Sequence, residues 1–265
     1  MSLPQSPHTN IPAPTEQLLR QITRRIVQKY HPQLVIFFGS RVYGRPRADS
    51  DIDLLVVRNA RGSWWQRNQK IARLFPNSPV KLDAHVYTPR EAAHRLEIGD
   101  YFMQDVMERG RILYPRANGN GVARLLREKL QQGKEHPMNE EYIEEWIAKA
   151  EGDYKSARAL ARQRKDFSAD NLCWTCAQCV EKYFKTFLVR HRVKFERTHN
   201  LVKLHEQCMT IDGDFKLLAD LLKPLTLCEP PIRYPGASVS EADARAAFNV
   251  MKDARTFVRA NLGLR

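Results

Sequence analysis

No stretch of this chain approaches the run of about 18 apolar residues that a membrane-spanning helix needs. The opening residues, MSLPQSPHTNIPAPTEQ, hold no apolar core segment of the kind a secretory signal carries. They are expected to form a short disordered lead over residues 1–14, with the cytoplasm as the expected location and no membrane partner. Cysteine does not occur before Cys173, and its five positions (Cys173, Cys176, Cys179, Cys208 and Cys228) do not resemble a disulfide framework. Repeats of fixed period are missing. Acidic residues are in deficit, 30 against 43 Lys and Arg, which leaves a net charge of +13. Such a surface attracts polyanions: nucleotides, RNA, DNA or an acidic partner.

What is present is enough apolar material, 43% of 265 residues, for one large domain or two small ones. Leu18, Leu19, Ile22, Ile26 and Val27 recur at helical spacing over residues 15–29. A continuous apolar run, Leu34 to Phe38, predicts a strand buried on both faces. A Gly-Ser loop and a short helical turn follow, closed by Gly44, Arg45 and Pro46. A second strand is predicted over Ile52 to Val57, a helix over 64–75 and a third strand over Val80 to Tyr87. Thr88 and Pro89 suit the N-cap and first turn of the next helix.

Residues 116–138 change texture, with PRANGNG before a basic helical patch and GKEHPMN after it, and are expected to be a linker. Beyond them the pattern is helical throughout. Ile143, Trp146, Ile147, Ala150, Tyr154, Ala157 and Leu160 mark one face of a long helix. A second runs from about Ser168 to Arg190, shorter ones follow Thr198 and Gly213, and the last spans about Ser240 to Leu262. The expected fold is an α/β (α+β) domain with a short mixed sheet over 15–115, followed by an all-α bundle over 139–265.

Two carboxylates interrupt the second strand. Residues i and i+2 of a strand share a face, so Asp51 and Asp53 project together. Charged carboxylates so placed repel, and a divalent cation resolves the conflict. Oxygen ligands favour Mg²⁺, which takes its remaining ligands from substrate phosphates and water. Gly39 lets backbone approach a ligand, and Ser40 with the amides that open the next helix can bind phosphate. Arg41, Arg45 and Arg47 can neutralise a triphosphate. Asp83 in VKLDAHVY is a third acid; if its strand neighbours the second, two metal ions could be clamped and Asp83 could act as ligand or base. His85 shares its face and reads as an ordinary surface or core histidine, with partnership to Asp83 as the alternative.

Gly39-Ser40, ten residues, then Asp51-Ile52-Asp53 resembles the pattern of the minimal nucleotidyltransferases of the DNA polymerase β superfamily. Tyr43-Gly44, Ser50, DAHVYTPRE and MERGRILYP are similar to the family's other segments, over about residues 15–115. The resemblance implies transfer of a nucleoside monophosphate from an NTP, usually ATP, with Mg²⁺ and release of pyrophosphate. Asp51, Asp53 and Asp83 would then be the catalytic metal ligands, and Gly39, Ser40, Arg41 and Ser50 the nucleotide-binding set.

CAQCVEKYFKTFLVRHRVKFERTHNLVKL (176–204) resembles the HEPN family, through Gln178, Glu181-Lys182, Lys185 and Arg197-Thr198-His199, with RYPG (233–236) and the last helix also similar. Many HEPN proteins are RNases that use Arg, four to six residues, then His, near a dimer interface. Arg192 and His199 meet the loose form of that motif; the plainer reading has Thr198 capping a helix that His199 opens. Toxins of this family paired with such transferases carry a tyrosine two residues after the His, where Leu201 stands here, which argues against self-modification at that site. Cys173, Cys176 and Cys179, interleaved with Trp174, Ala177 and Val180, read as small buried residues rather than zinc ligands. The expected function is a Mg²⁺-dependent nucleotidyltransferase acting on a hydroxyl of a small molecule, protein or RNA, with a HEPN domain that aids acceptor binding or homodimerisation. A toxin–antitoxin-type fusion, a HEPN ribonuclease and a non-catalytic nucleotide-binding module are the alternatives.

Overall fold

A computed structural model describes residues 16–43, 50–76, 78, 80–115, 121–135, 140–163, 167–195, 198–226, 228 and 238–264. The expected lead over 1–14, Arg45, Arg47, Arg197 and the RYPG stretch lie outside the described residues. The chain divides into two compact units, Met1–Pro137 and Met138–Arg265.

In the first unit the element order is α1 (Glu16–Tyr30), β1 (Leu34–Phe38), α2 (Ser40–Tyr43), β2 (Ile52–Val57), α3 (Trp64–Ala72), β3 (Leu82–Tyr87), α4 (Pro89–Glu97), α5 (Tyr101–Arg109), β4 (Arg111–Tyr114) and α6 (Gly121–Glu135). The strands form one mixed sheet in the order β3-β2-β1-β4, with β1 antiparallel to β2 and β4, and β2 parallel to β3. Period-2 alternation divides their side chains between two cores. Val35, Phe37, Ile52, Leu54, Val56, Ala84 and Val86 pack with Leu19, Ile22 and Ile26 of α1 and Ile71 of α3. Leu34, Ile36, Phe38, Leu55 and Val57 pack with α4, α5 and α6 on the other face. Because both faces are covered, the central strands read as unbroken apolar runs.

Local chemistry sets the helix ends. Thr88 caps α4 as expected: its hydroxyl accepts from the Glu91 amide, and the Glu91 carboxylate accepts from the Thr88 amide. The same carboxylate takes a bidentate pair from buried Arg67 of α3 at 2.8 Å, which ties α3 to α4.

Four expectations for this unit are corrected. The helix predicted over 64–75 ends at Ala72, and β3 starts at Leu82 rather than Val80. The fourth strand, β4, pairs with Val35–Phe37 and had no place in the expected sheet. The expected linker over 116–138 contains α6, whose Leu126 and Leu130 are buried in the core beneath the sheet. Lys129 and Lys134 of α6 pair with Glu97 at 2.5 Å and Glu108 at 2.7 Å. Gly133 meets the Leu96 carbonyl so closely that a side chain there would collide.

The second unit is helical: α7 (Glu140–Ala161), α8 (Ala169–Arg190), α9 (Leu201–Met209), a 3₁₀ turn (Gly213–Leu218), α10 (Lys223–Thr226) and α11 (Glu241–Asn261). α8 is its axis, flanked by α7 and α11, with Tyr183, Phe184 and Phe187 fully buried beside Phe215. Asn200, not Thr198, caps α9: its side chain accepts from the Lys203 amide at 2.9 Å, while the Thr198 hydroxyl accepts from the Asn200 amide at 3.0 Å. The cysteine expectation is corrected in part. Cys173 and Cys228 form a disulfide across 55 residues, with Cα atoms 5.2 Å apart, and a separation of that length leaves no local pattern to read. Cys176, Cys179 and Cys208 are free and buried, and burial pushes each thiol up, that of Cys176 to about 12.

Candidate active site

β1 runs out at Gly39, whose φ of +85° lies in the left-handed region that L side chains rarely enter. A methyl group on Gly39 would also collide with the Asp53 carboxylate and force it to shift, so the backbone angle and the acid's position both favour glycine here. The turn feeds α2, with the Gly39 carbonyl accepting from the amides of Val42 at 3.0 Å and Tyr43 at 3.3 Å. Ser40 is the first residue of α2, and its side chain is exposed. Arg41 donates from Nε to the Ser50 carbonyl at 2.8 Å, closing the loop back toward β2.

Strand register assembles the acids. Asp53 lies opposite Phe38 on β1 and opposite Asp83 on β3. Side chains directly opposite one another share a face, so Asp53 and Asp83 are neighbours across the parallel pair. Asp51 stands two residues before Asp53, at the head of the same face. Its Oδ2 accepts from Lys81 Nζ at 2.6 Å, and Lys81 stands two residues before Asp83. The Ile52 amide donates to the Lys81 carbonyl at 2.8 Å and fixes this entrance. The hydrogen bond and charge of Asp51 raise the Lys81 ammonium above its ordinary value; slight burial opposes this, and the charges of Asp83 and Asp53 add to it. The ammonium therefore feels all three carboxylates.

Next along β3, His85 Nε2 lies 3.3 Å from Asp83 Oδ2, and the ring sits among Phe38, Trp64 and Phe102 at centroid distances of 5.7, 5.9 and 5.0 Å. His85 is thus a partner of Asp83 embedded in an aromatic wall. Tyr87 continues that face, its phenol pushed up to about 12, chiefly by burial and then by the charge of Asp100.

Of the residues singled out in the sequence, Gly39, Asp51, Asp53 and Asp83 are brought to one end of the sheet, with Arg41 and Ser50 closing its rim. Lys81, Trp64 and Phe102 were not foreseen. Lys81 could have been found by the alternation that placed Asp51 and Asp53. Among the described residues no three His, Cys, Asp or Glu side chains are gathered tightly enough to hold a metal ion as they stand. The chemistry of the donor set nevertheless fits a hard divalent cation: three carboxylates share one face, and a cationic ammonium pairs with one of them, Asp51, at 2.6 Å.

In the helical unit, Arg192 follows α8 with φ of +59°, and His199 precedes α9. His199 Nδ1 lies 3.1 and 3.2 Å from the two oxygens of Glu181, although its own side chain is 64% exposed. Glu181 is buried in α8 and also accepts from Lys185, itself buried, at 2.7 Å and from Gln178 at 3.2 Å. A second polar node joins α7, α8 and α11: Glu151 accepts from Arg255 at 2.8 Å, from Arg259 at 3.2 Å and from the Tyr183 hydroxyl.

Comparison with known proteins divides the chain where its structure does. Residues 19–113 match the nucleotidyltransferase domain, and residues 143–261 match the HEPN domain. No curated protein matches the chain. One similar solved structure is a nucleotidyltransferase-like protein from Exiguobacterium sibiricum 255-15, at 13% identity and a TM-score of 0.45, covering 90% of this chain and 75% of that one. The acids on their shared face and the buried Glu181 node therefore lie in two different families' domains: this chain joins a nucleotidyltransferase domain to a HEPN domain.

Proposed function

We propose that the first unit transfers a nucleoside monophosphate, AMP from ATP, to a hydroxyl group of an acceptor. The observation that carries this reading is the register of β2 and β3, which sets Asp53 beside Asp83 with Asp51 at the head of the same face. Asp51 and Asp53 would hold divalent metal, Mg²⁺ by the chemistry of their oxygens, with Asp83 as third ligand or base. The metal, when bound, neutralises the triphosphate and polarises the phosphoryl oxygens.

The remaining steps belong to the chain's own residues. Gly39 gives the α-phosphate access to backbone, and Ser40 and Arg41 orient the phosphates. Asp83 accepts the proton of the acceptor hydroxyl as its oxygen attacks the α-phosphorus. The new O–P bond forms as the bond to the bridging oxygen breaks, and pyrophosphate leaves with that electron pair. The His85 ring beside Asp83 holds this carboxylate in place against the aromatic wall. The HEPN unit binds the acceptor, a small molecule, protein or RNA, or pairs two copies of the chain.

Incubation with α-³²P-ATP and Mg²⁺, with and without total cellular RNA, tests the reading. Label is followed on protein, RNA and small molecules. Asp51→Asn and Asp53→Asn should each abolish it, and its location names the acceptor class. Full turnover by both variants would refute the site.

A further inference from the structure

Lys81 has no part in that reaction, yet its side chain pairs with Asp51, one of the acids that would carry it. The pairing follows from register: Ile52 faces Leu82, so the preceding residues, Asp51 and Lys81, face each other where the two strands begin. The resulting ion pair is short, at 2.6 Å. The Lys81 side chain is 78% exposed, so nothing packed around it prevents withdrawal. A primary ammonium is a compact cation with three donors on a flexible stem. It balances negative charge without fixing coordination geometry, which makes it a replaceable counter-ion.

We infer that Lys81 is the built-in competitor for the cation seat of this site: its ammonium and a divalent ion exclude each other at the Asp51 carboxylate. The inference rests on the metal reading of the three acids given above. Lys81 is then a positioning residue that sets how much divalent cation the enzyme needs. It holds the carboxylates together by charge and yields Asp51 only when the ion is concentrated enough to displace it. A lysine serving merely to stabilise the strand entrance would make the opposite prediction, because its removal would loosen the acids and weaken metal binding.

The deciding measurement is Mn²⁺ binding to the full chain, read from the electron paramagnetic resonance signal of free Mn²⁺. Lys81→Met should bind Mn²⁺ about two- to fivefold more tightly than wild type, the range that an exposed ion pair supports. Lys81→Gln should behave likewise, which guards against a folding defect in the Met variant, and Lys81→Arg should stay near wild type. In an Asp51→Asn background the gain from Lys81→Met should vanish, because the coupling runs through that carboxylate. If wild type binds Mn²⁺ while Lys81→Met and Lys81→Gln bind equally or more weakly, the competitor role is refuted and the metal site stands. If neither wild type nor Lys81→Met binds, the metal reading falls and this inference falls with it.

Discussion

Substituting Gly39 by alanine separates a backbone cost from a site cost within one residue. At φ of +85° any L side chain pays for the left-handed region, about 1–2 kcal/mol. That penalty should lower the melting temperature of the first unit by roughly 3–8 °C. The second cost is not thermodynamic stability but geometry. The new methyl would fall on the Asp53 carboxylate, which has to rotate away from the end of β1 and off the face it shares with Asp83. A displacement of about 1 Å at a reacting centre can cost on the order of 10²-fold in rate. Gly39→Ala should therefore lose about two orders of magnitude in α-³²P-ATP labelling, far more than partial unfolding explains. Gly263→Ala is the control, since Gly263 has φ of +70° with nothing within 4 Å of a Cβ placed there. It bears the backbone cost alone, in the helical unit, and should leave labelling unchanged. Wild-type labelling by Gly39→Ala, or equal losses in the two variants, would refute the placement of Asp53 against Gly39.

Two further outcomes are expected in the helical unit. Glu181→Ala strands the buried Lys185 ammonium without its anion and should cost about 3–5 kcal/mol, whereas the double replacement Glu181→Leu/Lys185→Met should recover most of that loss; urea unfolding followed by circular dichroism compares them. Burial pushes the Glu151 carboxyl up, but the Tyr183 hydroxyl and the Arg255 and Arg259 guanidiniums outweigh it and hold the group below the ordinary range. A depressed carboxyl contributes stability above its unfolded value of about 4.3, and that contribution is lost as pH falls through the lower folded value. Thermal melts should therefore show the unit weakening below about pH 4, with Glu151→Gln less stable at neutrality and flatter across that acid limb.

The fold was legible wherever one element carries its own signal. Leu34–Phe38 and Ile52–Val57 stand where their apolar runs place them, and Thr88-Pro89 opens α4 by a capping chemistry that is entirely local. What escaped depends on partners distant in the chain. β4 is four residues, Arg-Ile-Leu-Tyr, with none of them buried and no alternation to detect, and it is a strand because Val35–Phe37 offers it an edge. α6 resembled a basic linker because its many Lys and Arg obscured Leu126 and Leu130, whose burial requires α4 and α5 to be in place. The Cys173–Cys228 link has the same origin, since 55 residues separate its ends.

At the site, the same division falls between strand period and strand pairing. Period 2 puts Asp51 with Asp53, and Lys81 with Asp83 and His85, from sequence alone. Setting those two groups side by side needs β3 parallel to β2 in one register, which depends on how α3 crosses over and packs on the sheet through Ile71. A one-residue slip would turn Asp83 and Lys81 to the opposite face, toward Ile52, Leu54 and Val56, and would drive Ala84 and Val86 out of that core. The apolar alternation of β3 thus does more than hold the strand in the sheet. By opposing the slip, Ala84 and Val86 set both the Asp83 carboxylate and the Lys81 ammonium at the end of β1. The Asp83 carboxylate is legible through its motif, whereas in a chain of 43 basic residues Lys81 carries no signal until its neighbour across the strands is known.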